Sequence, residues 1–172
     1  IGTHNRMEKD IVPKQGIPFK SIEMYGFNRK KILKNFKTLS CLLKGISECK
    51  KIIKEFKPDV VIGVGGYITV PVIYAANKLG VKTFIHEQNS VAGKANLSLA
   101  KKADLIGVSF ESSINDFPKD KTIFTGNPCS ESARSIKPCD KKEFGLDPKK
   151  KLVLIVMGSL GSSKMNEHII NA

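Results

Sequence analysis

A dense run of side-chain donors and acceptors, His86, Glu87, Gln88 and Asn89, follows directly on the β-branched and aromatic residues Val81, Lys82, Thr83, Phe84 and Ile85. That lead-in reads as a strand, and residues 92–101 have helix-forming composition. In an open α/β sheet, ligands bind in the crevice beyond the carboxyl ends of the strands, which is where the tetrad is expected to lie. Asn89 both donates and accepts, a chemistry suited to a sugar or ribose hydroxyl. Read alone, the tetrad is equally a polar loop that satisfies its own backbone and caps the next helix.

Two further turns have ligand-binding character. Asp59, Val60, Val61, Ile62, Gly63 and Val64 form an apolar run of the kind that makes a buried parallel strand, and Gly65, Gly66 and Tyr67 follow it. Paired glycines permit positive φ and close backbone approach, so their amides and the next helix N-terminus can face a phosphate. A third apolar run, Leu152 to Val156, predicts a buried strand leading into Met157, Gly158, Ser159, Leu160 and Gly161. The G-x-G-x-x-G spacing is not met there, which disfavours a dinucleotide.

These turns must be held by the elements between them. Ile1, Gly2, Thr3 and His4 read as the tail of a strand, so the chain is expected to be part of a longer protein whose first strand precedes residue 1. A short helix over residues 8–12, stopped by Pro13, and a strand over residues 17–23 come next. Ile32, Phe36, Leu39, Leu43, Ile46, Cys49, Ile53 and Phe56 recur in steps of three and four, predicting one long amphipathic helix or two joined near Gly45. A helix running to Leu79 and closed by Gly80, then strands over residues 103–108 and 121–125, continue an alternation typical of a parallel, doubly wound sheet. Gly126, Asn127 and Pro128 break it, and residues 129–142 read as a linker. The expected domains are therefore residues 1–128 and the start of a second α/β unit over 129–172.

The 172 residues carry 29 Lys and Arg against 16 Asp and Glu, a formal charge of +13, which implies attraction to something anionic. Ten of those basic residues against two Glu lie between Arg29 and Lys57, a local charge of +8, beside the apolar loop Met24, Tyr25, Gly26, Phe27. Phe27 with Arg29, Lys30, Lys31 and Lys34 is the expected contact with anionic lipid; without aromatic interleaving or a recognition-helix pattern, no nucleic acid is expected. Cys41, Cys49, Cys129 and Cys139 form no C-x-x-C pair, as expected of a reduced, cytosolic chain. Gly65, Gly66 and Pro71 interrupt the uncharged residues 60–77, so neither a spanning helix nor a signal peptide is expected.

Taken in order, Gly65-Gly66-Tyr67, His86-Glu87-Gln88-Asn89, Gly126-Asn127-Pro128 and Gly158-Ser159-Leu160-Gly161 resemble the MurG family. Gly2-Thr3, Met7-Glu8, Val12-Pro13, Lys57-Pro58-Asp59-Val60-Val61 and Ala92-Gly93 extend the match over essentially the whole chain. The resemblance implies a glycosyltransferase of the two-Rossmann-domain (GT-B) type. Such an enzyme transfers N-acetylglucosamine from UDP-GlcNAc to the undecaprenyl-diphosphate-linked muramyl pentapeptide, lipid I, giving lipid II with inversion. It implies a peripheral position on the cytoplasmic face of the bacterial plasma membrane, with anionic inner-leaflet lipids as partners. Diphosphate charge on departing UDP would be stabilised by turn amides and helix N-termini, so no metal and no cofactor is implied.

By position, Asn89 and Ser159 correspond to residues contacting UDP-GlcNAc, and Gly65, Gly66 and Tyr67 to a loop facing the acceptor diphosphate. His86, Glu87 and Gln88 are expected to line the same cleft, with no catalytic base assigned. Cys129 and Ser130 stand where many members carry a donor-contacting arginine, and Met157 and Leu160 replace a glycine and a glutamine of the third loop, so those contacts do not transfer. The alternatives are another GT-B sugar transferase, a UDP-GlcNAc epimerase, or a non-catalytic basic membrane-associated domain.

Overall fold

The structure, a computed structural model, describes residues 1–25, 35–156 and 163–171. It divides into two compact units, Ile1–Arg134 and Ser135–Ala172.

The first unit is built on parallel strands, as the alternation of elements predicts. A two-stranded sheet pairs β1 (Gly2–Thr3) with β2 (Ser21–Ile22), and between them lies α1 (Glu8–Lys14). Pro13 does not stop α1, which runs one residue further; Gly16, at φ +72°, turns the chain instead. The strand expected over residues 17–23 shrinks to Ser21–Ile22, because β1 gives it only two residues to pair with.

The stripe through Ile46, Cys49 and Ile53 forms α2 (Asn35–Phe56), one continuous helix whose Gly45 faces Pro71 without interrupting it. Lys57 adopts a left-handed conformation (φ 51°) just before Pro58, and the pair ends the helix. There follow β3 (Val60–Gly63), α3 (Thr69–Lys78), β4 (Lys82–Glu87), α4 (Lys94–Leu99), β5 (Leu105–Val108) and β6 (Thr122–Phe124). The four strands form one all-parallel sheet in the order β3-β4-β5-β6, with β4 and β5 inside it. Gly80 closes α3 as expected: at φ +69° it brings Val81 N–H to the Ala76 carbonyl at 3.0 Å. Ile73, Ala76, Ile85, Leu99 and Ile106 meet in the core between helices and sheet.

The strand β3 is parallel but not buried on both faces. Val61 and Gly63 point into the core, whereas Val60, Ile62 and Val64 are exposed, Ile62 by 64 %. The reason is its place at the edge of the four-stranded sheet, where one face lacks a covering layer among the described residues. An apolar groove of about 510 Å³ runs along it, lined by Ile1, Pro18, Phe56, Val60, Ile62 and Ile68 among others.

Residues 129–135, expected to be linker, form an exposed helix, α5 (Cys129–Ser135). In the second unit, Asp140 and Glu143 make a reciprocal capping box on a 3₁₀ turn (Lys141–Phe144) that Gly145 closes at φ +68°. The buried strand expected at Leu152 to Val156 is not formed: these residues are outside regular structure and exposed, Leu154 by 79 %. A strand exists only through its neighbours, and the described residues of this unit supply none; its other helix is α6 (Ser163–Ile170). No helix of the described residues is long and apolar enough to cross a membrane.

Candidate functional site

The strand β4 ends by placing each residue of the tetrad against a different neighbour. His86 is buried; its Nε2 lies 3.1 Å from the Gly126 carbonyl and 3.2 Å from Thr125 Oγ1, at the end of β6. A carbonyl can only accept, so the contact with Gly126 is a hydrogen bond when Nε2 carries the ring proton. Gln88 reaches the other way, its Nε2 donating to the Val64 carbonyl at 2.6 Å, at the end of β3. The tetrad thus ties together the carboxyl ends of three strands, the place where an α/β sheet binds ligands.

Glu87 faces inward, 1 % exposed, instead of lining an open cleft as expected. Its Oε1 accepts from Asn89 N–H at 3.0 Å and Asn89 Nδ2 at 2.8 Å; its Oε2 accepts from Gly93 N–H at 2.8 Å and Asn96 Nδ2 at 3.0 Å. Burial by itself would raise the pKa of this carboxyl. The bonds from Gly93, Asn89 and Asn96 outweigh it and hold the group below the ordinary glutamate range, as the anion. Both oxygens are occupied twice, so Glu87 has no capacity left to act as a base.

Asn89 is the exposed member. Its backbone carbonyl accepts from Ser113 Oγ at 2.9 Å, so the residue is fixed at both ends while its amide remains at the surface. Beneath it, Asn96 on α4 is 1 % exposed and also donates to the His86 carbonyl at 3.1 Å. These two bonds orient its amide and leave Oδ1 buried without a partner, near Gly65. Asn96, Ser113 and Thr125 are the residues that sequence reasoning missed. The available signal was an asparagine within a short helix, a poor helix former that must be repaid by specific bonds.

At the β3 turn, Gly65 and Gly66 have φ +90° and +75°, a conformation that L side chains rarely adopt. The Thr69 hydroxyl donates to the Gly65 carbonyl and Thr69 N–H to the Gly66 carbonyl at 3.2 Å, which fixes the start of α3. Tyr67 is half-buried beside them. Gly126, at φ +67°, turns the chain after β6, and its carbonyl also lies 3.3 Å from Ser109 Oγ. Ser159 lies outside the described residues, as do Phe27, Arg29, Lys30, Lys31 and Lys34. No group of three or more metal-ligating side chains occurs among the described residues.

The family description "Glycosyltransferase family 28 N-terminal domain" matches residues 1–108. A Bacillus licheniformis protein named UDP-N-acetylglucosamine--N-acetylmuramyl-(pentapeptide) pyrophosphoryl-undecaprenol N-acetylglucosamine transferase is 48 % identical over 171 residues, covering 99 % of this chain and 47 % of the relative. A Bacillus subtilis protein of the same name is 46 % identical over 172 residues, with 99 % and 47 % covered. The chain therefore spans about half the length of the curated relatives it matches. Among solved structures, Acinetobacter baumannii MurG is 34 % identical with a TM-score of 0.59, over 73 % of this chain and 35 % of that one. The Staphylococcus aureus MnaA–UDP structure, 16 % identical at a TM-score of 0.51 over 96 % of this chain and 41 % of that one, shares the fold alone.

Proposed function

The chain belongs to glycosyltransferase family 28, and from that premise we propose that it is the acceptor-side part of an enzyme transferring N-acetylglucosamine from UDP-GlcNAc to lipid I. The observation that carries the reading is the identity of nearly half its residues, along its whole length, to proteins named for that transfer. The geometry supports it chemically. Three strand ends converge on turn amides and one exposed neutral amide, groups that recognise hydroxyls and phosphates without themselves reacting.

In this reading Asn89, with Ser159, holds the nucleotide sugar. The amides of Gly65, Gly66 and Tyr67 and the N-terminus of α3 hold the acceptor diphosphate. Residues 1–128 form the acceptor domain, and residues 129–172 lead into the nucleotide-sugar domain. Phe27, Arg29, Lys30, Lys31 and Lys34 rest on anionic lipid at the cytoplasmic face of the membrane, each cation contributing about 1 kcal/mol, less as salt rises. Replacing the four cations with Ser should abolish most co-sedimentation with anionic vesicles.

The direct test is UDP release by the full-length protein that carries residues 1–172. Release that depends on a lipid I analogue is expected. Release without an acceptor, or conversion of UDP-GlcNAc to its 2-epimer, would overturn the assignment.

A further inference from the structure

We propose that Glu87 is a positioning residue that presents Asn89 to the neutral sugar of a bound nucleotide sugar and keeps phosphate away from that position. The inference rests on the functional reading above and adds which part of the ligand this corner recognises.

A single oxygen, Glu87 Oε1, accepts from both the backbone N–H and the side-chain Nδ2 of Asn89, closing a ring that fixes both the loop and the plane of the amide. The other oxygen does the same for the start of α4, through Gly93 N–H and Asn96 Nδ2. Behind Glu87 the core is closed; in front of it Asn89 is exposed. With one Nδ2 proton committed to the carboxylate, the free edge of the Asn89 amide offers one acceptor, Oδ1, and one donor, the second Nδ2 proton. That pairing complements a group that both donates and accepts, which describes a sugar hydroxyl or an acetamido group. A phosphate oxygen only accepts, and it would meet a buried negative charge directly behind the amide. Glu87 therefore disfavours the diphosphate here by repulsion as well as by mismatch.

A residue acting through another leaves a signature in a double-variant cycle. In the full-length protein, Glu87→Gln is close to isosteric but turns an N–H₂ toward donors that need an acceptor. Glu87→Gln and Asn89→Ala are each expected to lower kcat/KM for UDP-GlcNAc by about tenfold or more. The double variant should be no worse than Asn89→Ala within about twofold, and inhibition by UDP, which lacks the sugar, should be unchanged in Asn89→Ala and no weaker in the two variants that lose the Glu87 charge. Losses that multiply, or a parallel loss of UDP affinity, would overturn the proposal.

A second measurement does not depend on activity. In the 172-residue chain, the two Asn89 side-chain amide protons should give separate NMR signals, one protected from exchange, and Glu87→Gln should remove the protection. Solvent-like exchange of both protons in the unaltered chain would also overturn the proposal. If the full-length protein transfers no sugar, the functional reading falls, and the NMR result alone decides whether Glu87 positions Asn89.

Discussion

Thr83 and Asp104 lock the amino ends of two neighbouring strands to each other in both directions. Asp104 Oδ2 accepts from Thr83 N–H at 2.9 Å and from Thr83 Oγ1 at 2.8 Å, while Asp104 N–H returns a bond to the Thr83 carbonyl at 3.1 Å. Lys82 Nζ, 3.0 Å from Asp104 Oδ1, completes the cluster at the opposite end of the sheet from the tetrad.

Acid should loosen this lock. The bonds from Lys82 and then Thr83 bring the Asp104 carboxyl down from 3.8 to about 2. A depressed carboxylate pKa contributes stability that is fully present above the unfolded value and is lost as pH falls through the folded one. The stability gap between the unaltered chain and Asp104→Asn should therefore be constant above about pH 5 and close toward about pH 2. Urea midpoints measured across that range check it; a gap that persists at the acid end would refute it. Because Asp104 is partly exposed, the gap should also shrink in high salt.

Thiol reactivity should rank by burial. Desolvation pushes the Cys49 thiol up to about 12, whereas Cys129 and Cys139 are exposed. Iodoacetamide near neutral pH should label Cys129 and Cys139 first and Cys49 only after unfolding, as read by mass spectrometry of the labelled peptides. Early labelling of Cys49 would contradict its burial on the core face of α2.

Asn96→Ala should destabilise the first unit. It removes the donor shared by the His86 carbonyl and Glu87 Oε2 and leaves a buried void, at a cost of about 1 to 3 kcal/mol. Equilibrium urea unfolding measures it, and a change below about 0.5 kcal/mol would mean that water replaces the amide without loss.

Gly107→Ala should disturb the tetrad from the side. A Cβ at Gly107 would stand 2.6 Å from Phe84 Cζ, 3.0 Å from Thr125 Oγ1 and 3.1 Å from His86 Cδ2. Overpacking of this kind costs about 1 to 3 kcal/mol, and here it also presses on the bond from His86 to Gly126. A shift of the His86 ring signals in NMR, together with a lowered melting temperature, is the expected pair of results.

The positions of the turns after β3 and β4 were legible in the sequence because an apolar run giving way to glycines or to a polar tetrad marks the end of a strand. The partners were not. His86 bonds a carbonyl 40 residues away, and Gln88 one 24 residues away; such pairings follow from strand order, which residue type does not encode. The inward turn of Glu87 was hidden for the same reason, since its four donors come together only when the loop and α4 fold over it. The run from Leu152 to Val156 has strand composition without strand structure, because composition states a preference and a ladder needs a second strand.

The open edge of β3 gives the chain a colloidal character of its own. Among the described residues the outer edge of β3 has no partner strand, and such an edge beside an apolar groove is a template on which another copy can add a strand. Against that stands the charge of +13, which repels copies at long range. The Debye length is about 30 Å at 0.01 M salt and about 8 Å at 0.15 M, so the repulsion reaches well past the surface in dilute buffer and hardly beyond contact in saline. The isolated chain is therefore expected to stay clear in low salt and to grow turbid as salt is added, which light scattering across a salt series would check.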